Sequence, residues 1–260
     1  MSLRISPRIL AVSFGACIAL VTASSPAQTT AYTNESISAM ANIYGAGYST
    51  PPAPAGNGAG ILPPEFDLPA SPLVLTFSSV TGTISLNDGF GGEYNDPDDA
   101  GSSSNYGFPT KSFNSLDGIS GINATGTGYL IGVFESNTEP ADPAPASLDF
   151  TSIGTDFSSL SPVLDQLFFV GDGLTGDGAG SVQQFDVPTG ATRLFLGIAD
   201  GIDGSPGDFS DNEGSFTASF QVSGSAVPEP ASTTLLAIGT IGLLARRRKI
   251  ACRGIAAQRH

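Results

Sequence analysis

The chain has 260 residues and a formal net charge of −14, with 24 acidic residues against 10 lysines and arginines. Between residues 28 and 228 only Lys111 and Arg193 are basic, which leaves this stretch with a net charge near −21. Such an excess argues against nucleic acid and anionic membrane surfaces as partners, because both repel it, and it favours cations. The same stretch has no cysteine, histidine or tryptophan, which excludes Ser-His-Asp and Cys-His catalysis, so we predict no enzyme activity.

The N-terminus predicts a secretory signal peptide over residues 1–27. Two arginines precede an apolar stretch over residues 9–23, and small residues offer a peptidase site after Ala23 or Ala27. We therefore expect export by the Sec machinery and cleavage by signal peptidase. Cys17 leaves a lipoprotein open as an alternative, although it lies inside the apolar stretch and not at its end.

Residues 28–70 are predicted to be a leader and linker, rich in alanine, glycine and proline. Residues 49–64 contain two proline clusters and no sustained periodicity, which indicates an irregular linker. Residues 36–44 are predicted to form one short helix, with Ser36 or Asn34 as its N-cap.

Residues 71–224 are predicted to form an all-β domain, an antiparallel β-sandwich of a jelly-roll or lectin-like kind. The last predicted strand alternates between apolar and polar residues, which marks one buried face and one solvated face. Five segments are short, rich in β-branched or aromatic residues and bounded by Gly, Asp or Pro, namely 73–77, 81–86, 129–134, 191–198 and 215–222.

A dense group of oxygen-bearing side chains lies between the last two predicted strands. Calcium takes six to eight oxygen ligands, and glycines let the backbone turn its carbonyls inward. The loop therefore predicts a calcium site, with an acidic solvated turn as the alternative. Its carboxylates and its amide are those of Asp200, Asp203, Asp208, Asp211, Asn212 and Glu213.

This loop and the alternating strand after it resemble the C-terminal half of the calcium-dependent galactose-binding lectin of the PA-I type. That family is a small β-sandwich whose calcium directly coordinates two sugar hydroxyls. The resemblance implies that Asp200 is the first carboxylate ligand, with Asp203 as its competitor. It also implies that Asp211 and Asn212 replace the family's paired asparagines, and that Asp208 stands where a main-chain carbonyl binds.

The same resemblance extends weakly to residues 84–94, where Tyr94 would give a backbone carbonyl to the metal. Phe209, Tyr94 and Tyr106 could stack on a sugar or could equally pack beneath the loops. No histidine is present to match the family's sugar-contacting histidine, so calcium binding follows more directly than galactose binding. The alternative is a non-lectin matrix protein with structural calcium or with no metal.

The C-terminal segment 225–260 begins with a proline-containing motif, followed by an apolar run over 231–245 and a basic cluster over 246–249. The run gives a helix of roughly 22 Å, which spans a membrane only if flanking residues snorkel. Basic residues next to a span stay in the cytoplasm, so the body is expected outside. The residues that define this pattern are Val227, Pro228, Glu229, Pro230, Arg246, Arg247 and Arg248.

This three-part pattern resembles the PEP-CTERM sorting signal of Gram-negative bacteria. The resemblance implies recognition by an exosortase-type membrane peptidase that cuts near the motif and releases or re-attaches the body. An ordinary C-terminal anchor with a proline-containing stalk is the alternative. We therefore expect an inner-membrane precursor and then a protein of the cell surface or extracellular matrix, with extracellular glycan as a candidate partner.

Overall fold

The computed structural model describes residues 28–54, 58–70, 73–86, 97, 112–202 and 204–224. The predicted signal peptide, the sorting segment 225–260, Tyr94 and Asp203 lie outside these ranges. Within them, no helix has the length and apolar character needed to cross a membrane. Ala27–Ser225 form one compact unit that contains both hydrophobic clusters described below, and so this unit folds as a body of its own.

Strand is the main regular structure of the described residues, with one short α-helix and two 3-10 turns. The helix α1 is Phe150–Ile153, and the 3-10 turns are Ile43–Gly45 and Phe209–Asp211. The strands are β1 (Thr29–Ser38), β2 (Glu65–Asp67), β3 (Leu73–Ser85), β4 (Ser112–Phe113), β5 (Ile122–Asn123), β6 (Leu130–Glu135), β7 (Leu148–Asp149), β8 (Ser159–Leu160), β9 (Phe168–Phe169), β10 (Leu174–Gly176), β11 (Ala179–Val182), β12 (Gln184–Asp186), β13 (Arg193–Ile198), β14 (Gly201–Ile202), β15 (Ser205–Pro206) and β16 (Glu213–Gly224).

The largest sheet has five strands in the order β1-β16-β3-β12-β8. β3 and β16 pair antiparallel along their whole lengths, from Glu213 opposite Ser85 to Gly224 opposite Leu73. β3 joins the two segments predicted separately at 73–77 and 81–86. The alternation predicted for the last strand is confirmed, because its apolar side chains are buried, namely Phe216, Ala218, Phe220 and Val222.

A second sheet has four strands in the order β2-β13-β6-β9. Side chains of both sheets form one hydrophobic cluster, and burial of such a cluster is the main term that stabilises the fold. The prediction of an all-β protein is therefore confirmed. The predicted antiparallel pairing has two exceptions among the described strands, since β8 runs parallel to β12 and β5 runs parallel to β7.

The four-stranded sheet is covered on both faces. A second hydrophobic cluster joins its far side to the sheet β4-β5-β7 and to the 3-10 turn at Ile43–Gly45. All six residues of β6 are buried, which explains its continuous apolar run in place of an alternation. Glu135, the last of the six, is the charged exception.

Residues 28–70 differ from the predicted leader. Thr29–Ser38 is β1, and it pairs with β16 from Thr29 opposite Ser223 to Ser38 opposite Ser215. The helix predicted over 36–44 is wrong, because Ile37 is buried opposite Phe216 and this long-range pairing overrides local helix propensity. The irregular character predicted for residues 49–64 holds in their described part, which contains no named strand.

Candidate functional site

The acidic loop joins β13 of the four-stranded sheet to β16 of the five-stranded sheet. It contains the small hairpin β14-β15 and then the 3-10 turn Phe209–Asp211. Because its two ends are fixed in different sheets, the loop crosses from one layer to the other. This crossing brings Asp200, two residues after β13, next to Asn212, the residue before β16.

Asp200 is a buried carboxylate, with 7 % of the residue exposed. Its Oδ2 accepts a hydrogen bond of 3.1 Å from Nδ2 of Asn212, and its backbone carbonyl accepts one of 3.1 Å from the nitrogen of Gly207. A Cβ atom added to Gly207 would overlap both carboxylate oxygens of Asp200. The close approach of the backbone to the carboxylate therefore depends on a glycine at this position.

Asn212 is buried too, and its two amide atoms differ in their surroundings. Nδ2 donates to Asp200 and to the carbonyl of Ala39, the latter at 3.2 Å. Oδ1 has no hydrogen-bond partner among the described residues. A buried acceptor without a donor costs about 1–3 kcal/mol, so this oxygen is an available ligand.

The surroundings of Asp200 disfavour the ionised form of its carboxyl group. The pKa of Asp200 is raised to about 7, with burial as the main cause; the hydrogen bond from Asn212 acts against this rise, and repulsion by Asp211 and Asp208 adds to it. A positive ion at this position would relieve the desolvation and both repulsions. The loop thus concentrates negative potential on one buried carboxyl group.

Asp208 has a structural contact of its own. It caps the 3-10 turn, where its Oδ1 accepts a hydrogen bond of 3.0 Å from the nitrogen of Ser210. The hydroxyl of Ser210 in turn accepts from the nitrogen of Gly60, and the nitrogen of Phe209 donates to the carbonyl of Gly58. The loop is therefore attached to the segment around residues 58–60.

Phe209 does not lie at the surface. It has no exposed area and belongs to the second hydrophobic cluster, beneath the loop. Of the two sequence-based alternatives, packing beneath the loop is the one that the structure has. The interpretation of Phe209 as a sugar-stacking residue is wrong in this conformation, because its ring is inaccessible.

The oxygen atoms of Asp200 and Asn212 are ligands of the kind that a hard cation prefers. Few acidic side chains, however, are grouped around them. In the described ranges no three His, Cys, Asp or Glu side chains lie together in an arrangement that could hold a metal ion. Asp200 and Asn212 are in contact, and Asp208 and Asp211 act on Asp200 through their charge. The sequence did not predict the contact of Asn212 with the carbonyl of Ala39 or the close approach of Gly207 to Asp200, because no local pattern signals either of them.

Comparison with known families gives one match. Residues 226–249 match the PEP-CTERM protein-sorting motif, and they include the proline-containing motif and the arginine cluster noted above. No curated protein and no solved structure matches the chain. The match identifies an exosortase substrate, that is, an exported and membrane-anchored precursor that is processed to the cell surface.

Proposed function

We propose that the exported body is a surface or matrix protein whose loop between β13 and β16 binds one calcium ion, and that the ion is structural. The ligands would include the carboxylate of Asp200 and Oδ1 of Asn212. The observation that carries the proposal is the unpaired, buried Oδ1 of Asn212 beside a buried carboxylate. An ion there would satisfy both groups at once, together with backbone carbonyls and water.

The charge of the body favours the same proposal. Its described part contains one cation, Arg193, which lies at the opposite end of β13 from Asp200 and has its own partners. No described cation is among the causes that shift the pKa of Asp200. Calcium outside the cell would supply the missing positive charge and reduce the self-repulsion of an acidic chain.

Carbohydrate binding is the second step that the lectin resemblance implies. The burial of Phe209 removes one aromatic contact that a sugar would use. We therefore propose the structural ion alone, and a calcium-dependent glycan contact would be an addition to it.

The test is the melting temperature of the unit Ala27–Ser225 in EDTA and across a calcium titration. A ligand that binds only the folded state stabilises it by RT ln(1 + [L]/Kd), about 2.7 kcal/mol at a hundredfold excess over Kd. We expect a rise in the wild type and none in Asp200→Asn. Gly207→Ala should also lose the rise, because the added methyl group would displace the carboxylate of Asp200 without a change of charge.

Asp177→Asn is the matched control, because Asp177 is exposed in the turn between β10 and β11. It removes the same charge as Asp200→Asn, yet it should keep the full rise. An equal response of Asp177→Asn and Asp200→Asn would mean that calcium screens the general charge and occupies no site in the loop.

A further inference from the structure

Glu135 is a buried acid outside the calcium loop. It ends β6 and has no exposed area, and neither carboxylate oxygen accepts a hydrogen bond from a described residue. Nη2 of Arg193 lies 3.6 Å from its Oε2, which is an ion-pair distance and too long for a hydrogen bond. Ionisation of a carboxyl group in this position is costly, because the attraction to one arginine does not replace the hydration that the carboxylate has lost.

The guanidinium of Arg193 donates hydrogen bonds to backbone carbonyls of the segment that follows Glu135. Its Nε donates to the carbonyl of Ser136 at 2.9 Å, and its Nη2 lies 3.4 Å from the carbonyl of Thr138. The guanidinium also lies 5.1 Å from the ring centre of Phe195. These contacts fix the start of residues 136–142, which we call the strap.

The strap is fixed at a second point, above the carboxyl group of Glu135. The hydroxyl of Tyr48 lies 2.9 Å from the carbonyl of Pro140 and 2.7 Å from that of Asp117. A Cβ atom added to Gly47 would overlap Oε2 of Glu135 and would lie 3.0 Å from Cδ of Pro140. Gly47 and Pro140 thus close the space over the acid.

The charged and titratable groups that face Glu135 come from four segments. They are Arg193 of β13, Glu65 of β2, Asp165 before β9, and Tyr48. Burial raises the pKa of Glu135 to about 8, with repulsion by Asp165 and Glu65 in the same direction and attraction to Arg193 against it. At neutral pH the closed strap therefore covers a protonated, uncharged acid.

We propose that Glu135 and Arg193 form a proton-dependent latch: the strap closes over Glu135 while the acid is neutral and is released when the acid loses its proton. An ionised Glu135 needs donors that the closed arrangement lacks. Either water enters, or the guanidinium turns from Ser136 and Thr138 towards Glu135. Both changes remove contacts that hold the strap, and so alkaline conditions expose this part of the chain.

The test is the carbon-13 chemical shift of the backbone carbonyls of Thr138 and Pro140, which Arg193 and Tyr48 contact, in the unit Ala27–Ser225 between pH 6 and pH 10. In the wild type both shifts should change with a midpoint at about pH 8, because each pH unit above the pKa multiplies the ratio of ionised to neutral acid by ten. In Glu135→Gln both shifts should stay constant. The control Asp177→Asn, at an exposed carboxyl group between β10 and β11, should behave as the wild type.

Two results would overturn the proposal: constant wild-type carbonyl shifts over the whole range, or an equal change in Glu135→Gln. If Glu135→Gln does not fold, carbon-13 NMR of the wild-type carboxyl group replaces it. The Glu135 carboxyl and the carbonyls of Thr138 and Pro140 should then titrate with one midpoint, and separate midpoints would refute the latch.

Discussion

The backbone nitrogen of Gly224 donates a hydrogen bond of 2.8 Å to the carbonyl of Gln28. The chain therefore enters and leaves the five-stranded sheet at the same place, with β1 paired beside β16. Gly224 is the last described residue, and the sorting motif begins at residue 226. Both ends at which processing is expected thus adjoin one edge of the compact unit.

If β1 belongs to the body, its buried residues must contribute to stability. Ile37→Ala should lower the free energy of unfolding by about 2–5 kcal/mol, because Ile37 has no exposed area and packs in the main hydrophobic cluster. Urea denaturation of the unit measures this change. The control Ile153→Ala, at a residue that is 43 % exposed, should change stability by no more than about 0.5 kcal/mol. Equal stabilities of both variants would restore the leader interpretation.

Phe209 should behave as a core residue and not as a ligand contact. Phe209→Ala should lower the free energy of unfolding by about 3–5 kcal/mol even in EDTA, because the lost contacts are with the second hydrophobic cluster. Denaturation in EDTA separates this effect from any effect of calcium. A variant of wild-type stability in EDTA would show that the ring is free in solution.

The raised pKa of Glu135 predicts that the free energy of unfolding falls as the pH rises. Folding raises its pKa from the ordinary value of 4.5 to about 8, so the folded state holds this proton more tightly than the unfolded state. The contribution is fully present below pH 4.5, decreases between about pH 4.5 and pH 8, and is absent above that range. Denaturation curves at pH 5.5 and pH 8.5 should therefore differ by a few kcal/mol, in favour of pH 5.5.

Glu135→Gln removes this dependence, and its slope of stability against pH should be smaller than that of the wild type. The pKa of Asp200 is raised as well, to about 7, so a part of the slope remains in the variant. A wild type that is more stable at pH 8.5 than at pH 5.5 would contradict the assignment of both buried acids.

The sorting motif predicts a processing defect. Glu229→Ala should cause unprocessed precursor to accumulate in the membrane fraction of the producing cells, because Glu229 lies in the matched motif. Immunoblots of membrane, surface and medium fractions measure the distribution. The control Glu213→Ala changes the same residue type within β16 and should be processed normally. Equal processing of both variants would favour an ordinary membrane anchor.

Much of the sheet structure follows from sequence patterns, whereas β1 does not. The alternation in 215–222 and the apolar run at 129–134 each indicate which side chains are buried, because each pattern is formed by residues close together in the sequence. β1 has a polar, irregular pattern with a bulge at Asn34, whose φ is 55°. Its strand conformation depends on pairing with β16, almost 200 residues further along the chain.

The candidate site, too, could be predicted from the sequence only in part. The loop composition indicated oxygen ligands, and Asp200 and Asn212 do lie together. The roles of the other positions depend on contacts distant in sequence, such as Asn212 with Ala39 and Ser210 with Gly60. Composition could not separate a buried carboxylate at Asp200 from a turn-capping one at Asp208.

The central claim is that one calcium ion binds in the loop between β13 and β16. Isothermal titration of calcium into the unit Ala27–Ser225 tests it most directly, with Gly207→Ala as the variant that changes no charge. We expect one saturable site in the wild type and in Asp177→Asn, and its loss in Asp200→Asn and Gly207→Ala. Absence of binding up to millimolar calcium, or equal binding by Gly207→Ala, would contradict the account.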